Sequence, residues 1–403
     1  MNQARTITAI DKTMTNNKQE FIPLSTPWVS GNEKDYLVEC IDTGWLATGP
    51  FIHRFEDYVA RYVGVEEAVA VSSGTAALHV ALRLLEIGEG DEVICPTATF
   101  VATTNSVAYT GARPVFLDSE PGAWGLDPEE LKRFLENECR RDPNGNVIDI
   151  QSGKRIGAIL VVHLFGNPAD MDPILATADE YGIPIIEDAA ESLGSRYREH
   201  ATGTLGVIGC FSFNGNKTVT SSGGGMLVSK DPEMLERARR LINQGKDHGE
   251  EFYHSEVGYN YRLSNLHAAV GLAQVERLDE FLAARRSNAE VYSDAFAGVS
   301  GITMVREQEW AKSNYWLSTV LLDPQTFPLS PEESSRALRK VGIEARRPFV
   351  PNHTLPPYAG ERRFGELAVS NSLYQMGLNL PSSAWMTQEQ VRRVADSLVK
   401  LAG

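Results

Sequence analysis

Between Glu67 and Glu187, apolar runs of strand length alternate with segments of helical periodicity, and few folds accommodate that alternation. Ala68 to Ser72, Glu92 to Pro96, Pro114 to Asp118, Ile156 to Leu164 and Ile183 to Glu187 read as strands. Gly74 to Leu85, Val101 to Tyr109, Asp127 to Glu136 and Asp172 to Tyr181 read as helices, the first with Leu78, Leu82 and Leu85 at helical spacing. Nearly continuous apolar strands separated by helices predict an α/β fold, with a mainly parallel sheet covered on both faces. Val207 to Phe213 and Gly225 to Val228 add two strands, and Asp231-Pro232 opens a helix to Asn243. Asn137 to Lys154 breaks the rhythm. Its Asn144-Gly145 and Ser152-Gly153 turns flank a short apolar run, which predicts an inserted hairpin.

A chain of 403 residues exceeds one ordinary domain. Residues 21–265 are expected to form the larger unit. Leu263 to Ser287 reads as one long linking helix, and 266–403 as a smaller C-terminal α+β unit. The latter should hold a strand at Tyr315 to Leu322, a helix at Pro331 to Val341, a strand at Ile343 to Arg347 and a closing helix at Thr387 to Leu401. Residues 1–20 are polar and read as a mobile extension.

The charge balance, 38 − 53 = −15, argues against a nucleic-acid backbone or an anionic membrane as partner. Cys40, Cys95, Cys139 and Cys210 are scattered without a CxxC pair, which suits thiols in a reducing compartment. With neither a signal core nor a membrane-length apolar stretch, a cytoplasmic protein is expected. The sequence contains no GxGxxG after the first strand, no GxxxxGK[ST] and no HExxH, and no metal is expected.

Three constellations remain. Ser72-Ser73-Gly74-Thr75 lies where a strand meets a helix, where free N–H groups favour a phosphate; it reads equally well as an ordinary N-cap. Asp188 follows an apolar strand, at the carboxyl edge where open α/β sheets bind ligands; alone, it reads more readily as a solvated turn acid. Lys217 follows a strand within Ser212-Phe213-Asn214-Gly215-Asn216-Lys217, ahead of Gly223-Gly224-Gly225; alone, it divides evenly between a Schiff-base amine and a surface lysine. Together, a phosphate cup, a buried-strand acid and a glycine-flanked lysine fit pyridoxal 5'-phosphate. Phe100 is placed to stack on its ring or to pack in the core. His163 is placed to face the site or to serve the fold.

With these residues the chain resembles the DegT/DnrJ/EryC1/StrS sugar aminotransferases. The resemblance runs from Ile22 to the C-terminus through Gly44-Trp45-Leu46-Ala47-Thr48-Gly49, Ser73-Gly74-Thr75-Ala76-Ala77, Glu187-Asp188-Ala189-Ala190, the Lys217 motif and Gly258-Tyr259-Asn260-Tyr261-Arg262. It implies a fold-type-I pyridoxal-phosphate aminotransferase that alternates with the pyridoxamine 5'-phosphate form. Lys217 would bind the cofactor aldehyde and move the proton, and Asp188 would pair with the ring nitrogen. Gly74, Thr75 and Ser212 would hold the phosphate, with Asn260 reaching it from a neighbouring subunit of a homodimer. Glu191 would stand near the phenolic oxygen, where many relatives carry glutamine. Thr48, His163 and His353 would line the substrate side. The branch acting on UDP-linked 4-keto-6-deoxy-N-acetylhexosamines with L-glutamate, as in bacillosamine and legionaminic acid pathways, is nearest by the Phe-Asn-Gly-Asn-Lys motif, Glu191 and the hairpin. Alternatives are a GDP-4-keto-6-deoxymannose aminotransferase and a non-catalytic cofactor-binding regulator.

Overall fold

The computed structural model describes residues 20–247, 249 and 251–403. The extension expected over 1–20 lies outside them except at Glu20. The central sheet runs in the order Glu67–Val71, Gly225–Ser229, Ile208–Ser212, Ile185–Asp188, Arg155–Val162, Asp91–Pro96, Arg113–Leu117, Arg362–Arg363. Only Gly225–Ser229 opposes its neighbours. The inner strands are almost wholly buried, as continuous apolar runs require when helices cover both faces. The short strands Cys139–Arg141 and Val147–Asp149 pair with each other, and the second also meets Arg155.

A second, antiparallel sheet of Ile302–Met304, Ser318–Leu322 and Gly377–Leu380 shares a core with helices Leu278–Phe296 and Gln388–Val399. This C-terminal segment also returns to the central sheet. Arg362–Arg363 adds its edge strand, and Asn352 N–H donates to the Thr97 carbonyl at 2.9 Å.

Three local expectations change, and two helices were unread. The single helix expected over Leu263 to Ser287 is two, Asn265–Val275 and Leu278–Phe296, because Arg277 leaves helical geometry (φ −114°, ψ 13°). There Glu276 accepts hydrogen bonds from Tyr36 and Asn32, while the Arg277 guanidinium covers Trp28. The strand expected over Ile343 to Arg347 is reduced to single bridges, Ile343 to Ile22 and Arg346 to Asn379, since its two ends face different partners. The strand expected from Tyr315 begins at Ser318, because Tyr315 turns at φ 45° and the Asn314 side chain takes the Trp316 N–H. Finally, Glu33–Thr43 and Pro50–Val63 are helices unread in the sequence; the first exposes Val38 and Ile41 and so shows no clear apolar stripe.

Candidate active site

The carboxyl ends of the central strands converge on a cavity of about 330 Å³. Ser73 caps the Gly74–Leu84 helix by accepting from Ala76 N–H at 3.0 Å. Gly74 and Thr75 begin that helix on the cavity wall, so its free N–H groups and positive dipole end face inward. Close packing explains two glycines here. A Cβ on Gly74 would lie 2.7 Å from Ser212 Cβ, and one on Gly225 would lie 2.5 Å from the Ser73 carbonyl oxygen. Ser212 itself reaches the wall from the end of its strand.

Asp188 ends its strand on the same wall and is buried. Thr103 Oγ1 donates to one carboxylate oxygen at 2.7 Å, and Ala190 N–H to the other at 3.2 Å. Burial pushes this carboxyl up from its ordinary range, while the two donors pull it back. Neighbouring Glu187 points the other way, under the sheet. Its oxygens accept from Gly203, Leu205 and Gly206 N–H groups and from His163 Nε2.

Lys217 projects into the cavity with its side chain 12% exposed. Its Nζ lies 3.3 Å from Glu191 Oε1 and 3.9 Å from the centre of the Trp316 ring. The Glu191 Oε2 accepts from Phe165 N–H at 2.8 Å. The Trp316 Nε1–H donates to the Asn216 carbonyl at 2.7 Å, which pins the peptide just before the lysine. Phe100 stands at the mouth, half exposed, with its ring 5.3 Å from that of Phe349.

The structure therefore brings Gly74, Thr75, Phe100, Asp188, Glu191, Ser212 and Lys217 together. It does not bring the other candidates to this cavity within one chain. His163 is fully buried; its Nδ1 accepts from Ala169 N–H at 3.1 Å and its Nε2 donates to Glu187, so both nitrogens serve the fold and the substrate-side reading is corrected. His353 pairs through Nδ1 with Thr97 Oγ1 at 2.8 Å and does not line the cavity. Thr48 and Asn260 are exposed. Thr48 lies on a loop tethered by Asn265, whose side chain donates to the Trp45 carbonyl and accepts from Phe51 N–H. Sequence reasoning missed Thr103 and Trp316. Thr103 sits one turn into its helix from the Phe100 position, a spacing that could have flagged it. Trp316 lies about a hundred residues from Lys217 in sequence and left no local signal.

The wall suits a planar phosphorylated aldehyde. Lys217 supplies an amine, Asp188 a buried acceptor, and the Gly74 helix end with Thr75 and Ser212 a set of donors. The Asn216 Oδ1, also on the wall, is buried without a hydrogen-bond partner from the protein, as suits a place where a bound polar group would donate.

Known proteins give the same picture. The DegT/DnrJ/EryC1/StrS aminotransferase family model matches residues 28–399. EpsN of Bacillus subtilis is 44% identical, over 94% of this chain and 95% of its own length. GDP-perosamine synthase of Vibrio cholerae is 37% identical, over 94% and 98%. Among solved structures, DesV of S. venezuelae is 33% identical, with a TM-score of 0.82 over 92% of this chain and 94% of that one. The chain belongs to the DegT/DnrJ/EryC1/StrS aminotransferase family and is a pyridoxal-phosphate-dependent sugar aminotransferase of fold type I.

Proposed function

We propose that the protein transfers the amino group of L-glutamate to C4 of a UDP-linked 4-keto-6-deoxy-N-acetylhexosamine, releasing 2-oxoglutarate and the 4-amino sugar. One observation carries the reading: Lys217 Nζ, the Asp188 carboxylate and the Gly74–Ser212 cradle face a single cavity. When bound, pyridoxal phosphate supplies the electron sink and stores the amino group between the two half-reactions. The residues do the rest. The Gly74 helix end, Thr75 and Ser212 would donate to the phosphate. Asp188, held by Thr103 and Ala190, would accept a hydrogen bond from the ring N–H and favour its cationic form. Phe100 and Phe349 flank the mouth, their ring centres 5.3 Å apart. Lys217 removes the α-proton of glutamate and delivers a proton to the sugar carbon on the return, alternating between amine and ammonium.

The UDP assignment rests on the Lys217 motif, Glu191 and the hairpin at 139–149. A GDP-linked substrate is the second reading, favoured by the 37% identity to a GDP-perosamine synthase. We assign the exposed Thr48 and Asn260 to a second copy of the chain, because Val38, Ile41, Trp45 and Leu46 leave an apolar surface beside Thr48. Incubation with glutamate and a panel of UDP-, GDP- and dTDP-4-keto sugars, with NMR of the product, tests the assignment. Turnover on the UDP sugar should exceed the others, and Lys217→Ala should lower it at least ~10³-fold. Full turnover in Lys217→Ala would overturn the role of the lysine.

A further inference from the structure

Of the cavity-lining side chains, three carry charge: Asp188, Glu191 and Lys217. Two buried carboxylates thus face a single cation. They are not equivalent. Asp188 has a donor on each oxygen, Thr103 on one and Ala190 on the other. Glu191 has the Phe165 N–H on Oε2, and its Oε1 turns to Lys217 Nζ at 3.3 Å. The backbone at Glu191 is also fixed, since Asn314 Nδ2 donates to its carbonyl at 2.9 Å. The Trp316 ring also lies against the amine, its centre 3.9 Å from Nζ; it favours the ammonium but has no place for its proton.

We propose that Glu191 is the base that prepares Lys217: Oε1 takes a proton from the Nζ ammonium, leaving a neutral amine beside a neutral carboxylic acid, and returns it when the amine must again be cationic. One N–H bond breaks, one O–H bond forms, and no other reactant is needed. The proposal rests on the reading of Lys217 as the reacting amine.

The surroundings favour this transfer. Glu191 is 5% exposed, so bulk water is a poor competitor for the proton. Burial pushes its carboxyl up, the Lys217 ammonium pulls it back down, and the Asp188 charge adds to the upward push. Once the lysine gives up its proton, the chief influence holding Glu191 ionised is gone. A neutral pair also removes two charges from a site that solvates them poorly. Trp316 completes the device: it holds the Asn216 carbonyl with its Nε1–H and carries the amine against its face, within 3.3 Å of Oε1. A glutamine at 191 would keep the shape and the Phe165 bond but could not take a proton.

The test uses the full chain, first stripped of cofactor and then reloaded, with wild type, Glu191→Gln and Glu191→Asp. Trace acetylation of Lys217 with acetic anhydride, read by peptide mass spectrometry across pH 6–11, reports the neutral-amine fraction. Because the ammonium loses its partner charge, Lys217 should be acetylated at least ~10-fold faster at pH 7.5 in Glu191→Gln than in wild type. The rate of pyridoxal phosphate capture at pH 7.5, followed by stopped-flow absorbance, should nevertheless fall at least ~10-fold, and Glu191→Asp should recover most of it. An unchanged acetylation rate would overturn the proposal. So would a capture rate that rises with the neutral-amine fraction, which would make Glu191 a counter-ion only. Neither sugar nor glutamate is present, so a wrong substrate assignment leaves both readouts unaffected.

Discussion

Glu187→Gln is a change of one atom that should loosen the underside of the site. The native carboxylate is fully buried and accepts four hydrogen bonds. Leu205 and Gly206 N–H donate to Oε1, both at 2.6 Å; Gly203 N–H and His163 Nε2 donate to Oε2 at 2.7 and 2.9 Å. His163 cannot switch roles, because its Nδ1 already accepts the Ala169 N–H, which leaves Nε2 as the protonated nitrogen. Whichever way the amide of a glutamine turns, its NH₂ meets two donors. A hydrogen bond to a charged group contributes about 1.5–3 kcal/mol, so losing two costs about 3–6 kcal/mol locally. At about 1.4 kcal/mol per tenfold, amide exchange within 203–206 or 163–169 should accelerate by about 10²–10⁴. Hydrogen-exchange mass spectrometry of those peptides reads the effect directly. Exchange within threefold of wild type in both peptides would refute the reasoning, since the four donors would then be satisfied without the charge.

Two further outcomes follow from buried acids. Glu92 is 2% exposed with Oε2 unpartnered, and its carboxyl is pushed up to about 7, chiefly by burial. Because the folded value lies above the unfolded one, stability is highest below the unfolded value and declines as the pH rises from about 4.5 to 7; Glu92→Gln should flatten that decline in urea midpoints measured across the range. Asp188→Asn should raise the melting temperature of the cofactor-free chain at pH 7, because it removes a carboxylate whose charged form is opposed by burial while Thr103 can turn to accept the new amide. The same variant should weaken cofactor retention at least ~10-fold by equilibrium dialysis; unchanged retention would remove Asp188 from its assigned role.

The sheet was readable in advance because its strands obey one rule. Runs such as Ala158 to Val162 and Ile185 to Ile186 are buried on both faces and so are apolar throughout. Lys217 and Asp188 were readable because each stands beside a local marker, a glycine-rich turn or a strand end. What escaped depends on distance in sequence. No local pattern reveals that Trp316 covers Lys217 or that Glu187 gathers three peptide N–H groups across a turn. The break at Glu276–Arg277 escaped for the same reason: both residues favour helix locally, and it is their ties to Tyr36, Asn32 and Trp28 that draw the chain aside. His163 misled because a strand-end histidine beside a site looks the same whether it faces the cavity or the core.

The return of the C-terminal segment to the central sheet constrains the order in which a ribosome can deliver a finished molecule. The Asn216 carbonyl, one residue before Lys217, is held by Ser25 from the start of the described chain and by Trp316 from far downstream. Ile22 pairs with Ile343, and the sheet edge at Arg113–Leu117 receives Arg362–Arg363. A nascent chain that has just delivered Lys217 still lacks Trp316, Ile343 and Arg362, which lie 99, 126 and 145 residues further on. At about 5–20 residues per second, the newborn sheet waits about 7–30 s with its edge open. That interval, more than the finished fold, is when the polypeptide is exposed to mispairing and when chaperone capture should be most frequent.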